Sequence, residues 1–247
     1  MKMYGLIGYP LGHSFSKQYF TEKFQREGLN DCIFEAFPIP SINEFSDLVK
    51  SNPELKGLGV TIPYKEQVLP FMNEVSEEVR FIGATNSIKV SGNRLIAYNT
   101  DIIGFERSFF SNQLPAGQPP RALVLGTGGA SKAVQYVLNR AGISFLIVTR
   151  NEPGPGHVNY SAIDASMVDS HRIIINCTPV GMYPHEEQSP DLPYHLITAD
   201  HYLFDLVYRP AKTQFLQKGE EMGATIQNGY DMLVIQAEAS WKIWNSI

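Results

Sequence analysis

Short apolar runs alternate along this chain with longer stretches whose apolar positions recur every three to four residues. The first period is that of a buried strand and the second that of an amphipathic helix. Residues 3–8, 33–37 and 57–62 read as strands, and residues 16–27 and 42–50 as the helices between them. Gly28 marks the end of the first helix and Pro63 the end of the third strand. Short helices are predicted over 65–71 and 77–81. Residues 85–90 and 94–98 flank Ser91-Gly-Asn93 and read as a hairpin. A helix follows over 102–110. The stretch 115–120, with three prolines and a glycine, is the clearest connector. Beyond it come a strand over 122–125, a helix over 131–141 and a strand over 144–148. Strands at 172–176 and 201–206, then helices at 213–222 and 232–244, complete the pattern. Strands alternating with helices throughout predict α/β layers around at least one parallel sheet.

The strand at 122–125 runs directly into Gly126-Thr-Gly-Gly-Ala130, and the helix begins just after it. A strand, a glycine turn and a helix in that order form the phosphate cradle of a dinucleotide site. The glycines let the backbone approach the pyrophosphate, and the helix start offers free N–H groups. Ser131 stands where the fingerprint has its third glycine. The next strand ends in Val148-Thr-Arg-Asn151, with no carboxylate at its tip to receive a ribose 2′-hydroxyl. Arg150 is suited to pair with a 2′-phosphate, which favours NADP; the other reading is a solvated loop residue. A nucleotide unit starting near residue 121 leaves the first hundred residues to hold a substrate.

Composition narrows the classes. A hydrophobic fraction of 43% in 247 residues is that of a globular protein of one large or two modest domains. A net charge of −5 and an isoelectric point near 5.7 disfavour nucleic acid or an anionic membrane as partner. No apolar run is long enough to span a bilayer, and the first residues lack the pattern of a secretory signal. Two cysteines, Cys32 and Cys177, make neither a disulfide framework nor a metal knuckle, so a cytoplasmic setting is expected. Six scattered histidines predict no metal site.

Three clusters in the first half sit at predicted strand ends, where α/β sites form. In Gly12-His-Ser-Phe-Ser16, two hydroxyls at a helix start can hold a carboxylate, or one of them can simply cap the helix. In Val60-Thr-Ile-Pro-Tyr-Lys65, a lysine just past a buried strand can donate a proton; its commoner fate is a surface helix position. Asn99-Thr-Asp101, with Gly83-Ala-Thr-Asn86 upstream, offers a carboxylate that can orient Lys65 or cap the helix after it.

Together with Gly-Thr-Gly-Gly-Ala (126–130), Asn-Cys-Thr-Pro-Val-Gly-Met (176–182) and Asn-Gly-Tyr-Asp-Met-Leu-Val-Ile-Gln (228–236), these clusters resemble, in order and over nearly the whole chain, the signature blocks of the shikimate dehydrogenases. The resemblance implies two α/β domains with a cleft between them. The N-terminal one, 1–101 with the returning helix of 230–247, binds substrate. The C-terminal one, 102–229, is a Rossmann-type NADP domain. The implied reaction is the reversible reduction of 3-dehydroshikimate to shikimate, in the route to chorismate and the aromatic amino acids. By motif position, Ser14 and Ser16 bind the substrate carboxylate. Thr61, Lys65, Asn86, Asp101 and Gln236 contact the substrate as well, and Tyr208 lines the cleft. Lys65 is the acid–base residue and Asp101 its partner. Gly126, Gly128, Gly129 and Ala130 cradle the pyrophosphate, Thr149 and Arg150 meet the adenosine ribose, and Thr178, Met182 and Gly229 lie near the nicotinamide. A monomer or homodimer is expected.

Two positions depart from the family. Lys17 stands where proline usually follows the second serine, and adds positive potential near a carboxylate. After Arg150 the chain continues Asn151-Glu-Pro-Gly-Pro-Gly156 in place of a helix with a second basic residue, so NADP preference is expected to be weaker than in relatives. Three rival readings remain. One is a quinate/shikimate dehydrogenase using NAD. Another is a methylene-tetrahydrofolate dehydrogenase, which would carry Tyr-x-x-x-Lys where this chain has adjacent Tyr64 and Lys65. The third is a non-catalytic NADP-binding regulatory protein, which should have lost Lys65 or Asp101.

Overall fold

The computed structural model describes residues 1–12, 15–115 and 119–246. Backbone contacts divide the chain into two units, Met1–Thr100 with Ala237–Ile247, and Asp101–Gln236.

In the first unit, β1 (Lys2–Gly8), α1 (Phe15–Arg26), β2 (Cys32–Pro38), α2 (Phe45–Ser51), β3 (Leu55–Val60) and α3 (Tyr64–Gln67) follow one another. Then come β4 (Glu74–Val75), α4 (Glu77–Ile82) and the hairpin β5 (Ser87–Ser91) and β6 (Arg94–Tyr98). The strands form one sheet in the order β2-β1-β3-β5-β6-β4. Only β5 runs against its neighbours, so β1, β3 and β6 leave the sheet at the same edge. Gly92, at φ +59°, makes the two-residue hairpin turn, a conformation glycine adopts without a Cβ penalty.

Proline and side-chain caps shift several boundaries from the sequence pattern. The helix expected over 65–71 stops at Gln67 and resumes as a 3₁₀ turn, Leu69–Phe71, because Pro70 has no N–H for an α-helical bond. The helix expected over 42–50 opens as a 3₁₀ turn, Ile42–Glu44, where the Ser41 hydroxyl accepts from Asn43 N and Glu44 accepts from Ser41 N, both at 3.2 Å. The strand expected from 85 starts at Ser87. The Thr85 hydroxyl donates to Tyr98 O at 2.6 Å and takes the place of a ladder bond.

One core of this unit gathers Ile7, Phe45, Leu55, Leu58, Val68 and Ile88 on one side of the sheet. A second joins Tyr4, Phe20, Phe24 and Phe34 to Trp244 and Ala237 of the terminal helix α9 (Tyr230–Trp244). Lys23 reinforces the joint. It is nearly buried, and its ammonium reaches Glu238 at 3.0 Å and Glu27 at 2.8 Å. Tyr19 donates to Glu238 at 2.6 Å. Burial alone would raise the Glu238 carboxyl, but the bonds from Tyr19 and Lys23 outweigh it and hold the group below its ordinary value.

The second unit contains α5 (Asp101–Phe109), β7 (Arg121–Leu125), α6 (Gly129–Arg140), β8 (Ser144–Thr149), β9 (His157–Asn159), α7 (Ala165–Ser170), β10 (Ile173–Asn176), β11 (Tyr202–Asp205), α8 (Gln214–Glu221) and β12 (Thr225–Gln227). Its sheet is parallel throughout, in the order β12-β11-β10-β7-β8-β9. That is the doubly wound dinucleotide-binding order, with its switch point between β7 and β10. Near-continuous apolar strands, Ala122–Leu125 and Ile173–Ile175, are buried on both faces, as helices on both sides of a parallel sheet require. The short pieces β4, β9, β12 and α7 carry too few residues for a readable period. Among the described residues no helix is long and apolar enough to cross a membrane.

Candidate functional site

In the first unit three of the predicted substrate residues, Thr61, Lys65 and Asn86, lie at the sheet edge where β1, β3 and β6 end. Ile7 pairs with Val60, and the ladder runs one step further as Thr61 N donates to Ile7 O at 3.0 Å. Thr61 therefore stands just past β3 against Gly8. A Cβ built on Gly8 would lie 2.4 Å from the Thr61 methyl, so glycine is needed for the approach. Val60 N donates to Asn86 O at 2.9 Å, which places Asn86 beside the same strand end. Lys65 lies in α3, half-buried, and its carbonyl accepts from Thr85 N at 2.8 Å. The Gly83-Ala-Thr-Asn86 segment is thus tied to Lys65 by backbone and to β3 by ladder.

Thr100, which follows β6, joins Asn86 directly. Thr100 N donates to Asn86 Oδ1 at 2.7 Å, and Asn86 Nδ2 donates to Thr100 Oγ1 at 2.9 Å. Ser240 of α9 lies 2.9 Å from the same hydroxyl, and all three residues are buried. Burying such groups without partners would cost about 1–3 kcal/mol each. The network therefore fixes the Asn86 side chain and links it to the terminal helix. Thr100 lay inside the Asn99-Thr-Asp101 cluster, but its role in holding Asn86 was not read from the sequence, and nothing in the sequence pattern singled out Ser240.

Ser16 sits half-buried in the first turn of α1. Ser14 lies outside the described residues. The Lys17 ammonium is 2.7 Å from Glu35 on β2. The charge of Lys17 is therefore shared with a carboxylate of the chain itself. Asp101 opens α5, buried, immediately after Thr100. Gln236 lies half-buried on α9.

In the second unit, β7 ends in the glycine turn. Gly126 adopts φ +103° and donates to Val148 O at 2.9 Å, which carries the β7–β8 ladder one residue further. A Cβ there would lie 2.9 Å from the Thr178 methyl. Gly128 is the extended N-cap of α6 and gives no side-chain cap. α6 begins at Gly129, two residues earlier than the pattern predicted. The first N–H groups of α6 therefore receive no side-chain cap from their N-cap residue, and open space stands where a Gly128 side chain would be. An anion fits these donors and the positive end of the helix dipole. Ser131, in place of the third glycine, is buried and donates to Gly126 O at 2.7 Å, so it braces the turn from behind.

Arg150 stands exposed at the tip of β8, and Thr149 beneath it is buried. The Thr149 hydroxyl accepts from Asn151 N at 3.1 Å. Asn159 on β9 donates to Thr149 O at 3.0 Å and to Asn151 O at 2.8 Å in the amide orientation its neighbours require. The residues after Arg150 form no helix, as the two prolines predicted. A cavity of about 830 Å³ opens beside them, lined by Thr149, Arg150, Tyr160, Thr178 and Met182 among others. It lies within this unit at the carboxyl ends of β8 and β10, where open α/β sheets bind ligands. This donor set and this space fit a dinucleotide phosphate.

Thr178 follows Cys177, whose thiol burial pushes far up, so it is no nucleophile at neutral pH. Thr178 N and Oγ1 both donate to Asn176 Oδ1, at 3.0 and 2.7 Å. Met182 is exposed. Tyr208 is half-buried, and burial raises its phenol, so it remains a hydrogen-bond donor at neutral pH. Gly229 packs against β11's exit. A Cβ there would lie 2.2 Å from Leu206 O.

Residues 6–88 match the family described as the shikimate dehydrogenase substrate binding domain. The whole chain is 36% identical to an NADP-dependent shikimate dehydrogenase of Caldicellulosiruptor saccharolyticus, covering 100% of this chain and 93% of that protein. The chain belongs to the shikimate dehydrogenase family. An NADP-dependent shikimate dehydrogenase of Methanococcus maripaludis is 33% identical over 100% of the chain and 92% of its own length. A solved shikimate 5-dehydrogenase of Thermus thermophilus, in complex with NADP(H) and shikimate, superposes with a TM-score of 0.86. It is 30% identical, over 100% of this chain and 94% of that one. These likenesses cover both units.

Proposed function

We propose that this chain is an NADP-dependent shikimate dehydrogenase of the aromatic amino-acid route, interconverting 3-dehydroshikimate and shikimate. The observation that carries the reading is the convergence of Thr61, Lys65 and Asn86 at one sheet edge, in a chain whose other unit ends a doubly wound strand in an uncapped glycine turn. The Thermus relative, bound to both ligands, supports it. Substrate falls to residues 1–101 with 230–247, and cofactor to 102–229.

The uncapped N–H groups of Gly129 and Ala130, together with Gly126 and Gly128, hold the pyrophosphate. Thr149 and Arg150 hold the ribose 2′-phosphate. Thr178, Met182 and Gly229 border the nicotinamide. When bound, the dinucleotide supplies or accepts the hydride.

The remaining chemistry belongs to side chains. Ser14 and Ser16 receive the substrate carboxylate, Ser16 from the first turn of α1, at the positive end of the helix dipole. Thr61, Asn86, Tyr208 and Gln236 bind and orient the ring; Asn86 can do so without reorganising, because Thr100 already fixes it. Lys65 stands at the substrate oxygen, stabilises the charge that develops there during reduction, and delivers a proton to it. Asp101, as its partner, keeps the ammonium aimed. In the oxidative direction the same residues remove the proton.

Lys65→Ala tests the assignment. The expected result is a fall in kcat of about 10³-fold, with the NADP dissociation constant within about twofold of the parent. Near-normal turnover would remove Lys65 from the chemistry.

A further inference from the structure

Asp205 ends β11, and its side chain is fully buried. Such a carboxylate needs donors. It has three, each from a different segment. Asn176 Nδ2, at the end of β10, donates to Oδ1 at 3.0 Å. Val207 N, on the segment that leads to Tyr208, donates to the same oxygen at 3.0 Å. Thr213 Oγ1, the N-cap of α8, donates to Oδ2 at 2.5 Å.

Asn176 passes the constraint on. Its Oδ1 receives both Thr178 N and Thr178 Oγ1, and Thr178 Oγ1 in turn accepts from Val180 N at 3.2 Å. Asn176 Nδ2 also reaches Val180 O at 3.3 Å. On the other side, Gly229 N donates to Val207 O at 3.2 Å. Thr178, Tyr208 and Gly229 thus all hang within two hydrogen bonds or two residues of one carboxylate.

We propose that Asp205 is a positioning residue for the cofactor. It sets the 176–182 and 205–210 segments at the mouth of the parallel sheet in the register that the dinucleotide requires. The proposal rests on the cofactor assignment given above. Asp205 touches no reacting atom; it acts through Asn176 and Val207. Asn176 and Asp205 end the apolar runs Ile173–Ile175 and Tyr202–Phe204, which is the sequence trace of this role. The register pairs them directly, Asn176 with Asp205.

The test compares Asp205→Leu with Asp205→Asn on the purified full chain. Leucine keeps the branching at Cγ, with bulkier methyl groups, and removes every acceptor. Asparagine keeps Oδ1 as acceptor for Asn176 and Val207, and Thr213 can accept from the new amide. The readouts are dissociation constants for NADPH by fluorescence and for shikimate by calorimetry, with kcat per folded site. For Asp205→Leu we expect NADPH to bind at least about tenfold more weakly and shikimate within about twofold of the parent. Asp205→Asn should restore NADPH binding to within about threefold. A uniformly structural role would lower Tm and the folded fraction but leave the NADPH constant per folded site unchanged, and that result overturns the proposal. Should Asp205→Leu not fold, Asn176→Ala severs the same link while leaving the Thr213 cap intact. The same loss of NADPH affinity is expected, and an unchanged constant overturns the proposal. A parent protein that binds NADPH but does not turn over shikimate sinks the substrate reading and leaves this test standing. A parent that does not bind NADPH refutes the cofactor reading and this proposal together.

Discussion

Trp244 lies flush against Gly57. A Cβ built on Gly57 would stand 2.2 Å from Cγ of the indole, deep in the aromatic cluster that also holds Tyr4, Phe20 and Phe34. The terminal helix is therefore seated on β3 itself, the strand that delivers Thr61 and leads to Lys65.

Gly57→Ala should lower the stability of the first unit by about 1–3 kcal/mol, because a rigid indole cannot yield to the added methyl without moving α9. Urea denaturation followed by tryptophan fluorescence reads this directly. An unchanged midpoint would mean that α9 adjusts freely, and its role as an anchor would fail. Trp244→Phe in the Gly57→Ala background should recover part of the loss.

Thr100→Val removes the hydroxyl shared by Asn86 and Ser240 while keeping the shape. Asn86 loses the hydroxyl that accepts from its amide, while the bond from the residue-100 N–H to its Oδ1 is kept. We expect kcat/KM for shikimate to fall about tenfold and the NADP dissociation constant to stay within about twofold. A loss of stability with unchanged kcat/KM would make the Asn86–Thr100 pair structural only.

Burial pushes the Asp205 carboxyl up to about 7, against hydrogen bonds from Thr213, Val207 and Asn176 that pull it down. Its reference value is 3.8, so between about pH 4 and 7 the folded chain holds a proton that the unfolded chain has released. This group's contribution to stability therefore declines as pH rises through that window and is flat above it. The parent minus Asp205→Asn difference in unfolding free energy should fall by a few kcal/mol from pH 4.5 to pH 8. A difference independent of pH would show that Asp205 is ionised throughout.

Much of this was legible in the chain, and the reasons are local. The glycine turn after 122–125 is a contiguous signal, and Gly126 does adopt a positive φ. The helix end read at Gly28 is punctuated by a residue that does adopt positive φ. What escaped was set by distance or brevity. Lys17 meets Glu35 across two elements, so their ion pair has no periodic trace. Pro70 splits a helix that the apolar spacing alone would continue. Asn176, Asp205 and Thr213 meet only because β10 and β11 are neighbours in the sheet, and strand order is not written in any one segment. Asn159 bonds the backbone on both sides of Arg150 from β9, a strand of three residues.

The central claim is a hydride transfer between shikimate and NADP, with Arg150 reading the 2′-phosphate. Reduced-nicotinamide absorbance is the direct measurement, with purified protein and shikimate in parallel reactions containing NADP or NAD. We predict rapid reduction of NADP and slower reduction of NAD, with the ratio of kcat/KM values collapsing toward unity in Arg150→Leu. Reduction of neither cofactor, with shikimate in excess over any reasonable dissociation constant, would contradict the account.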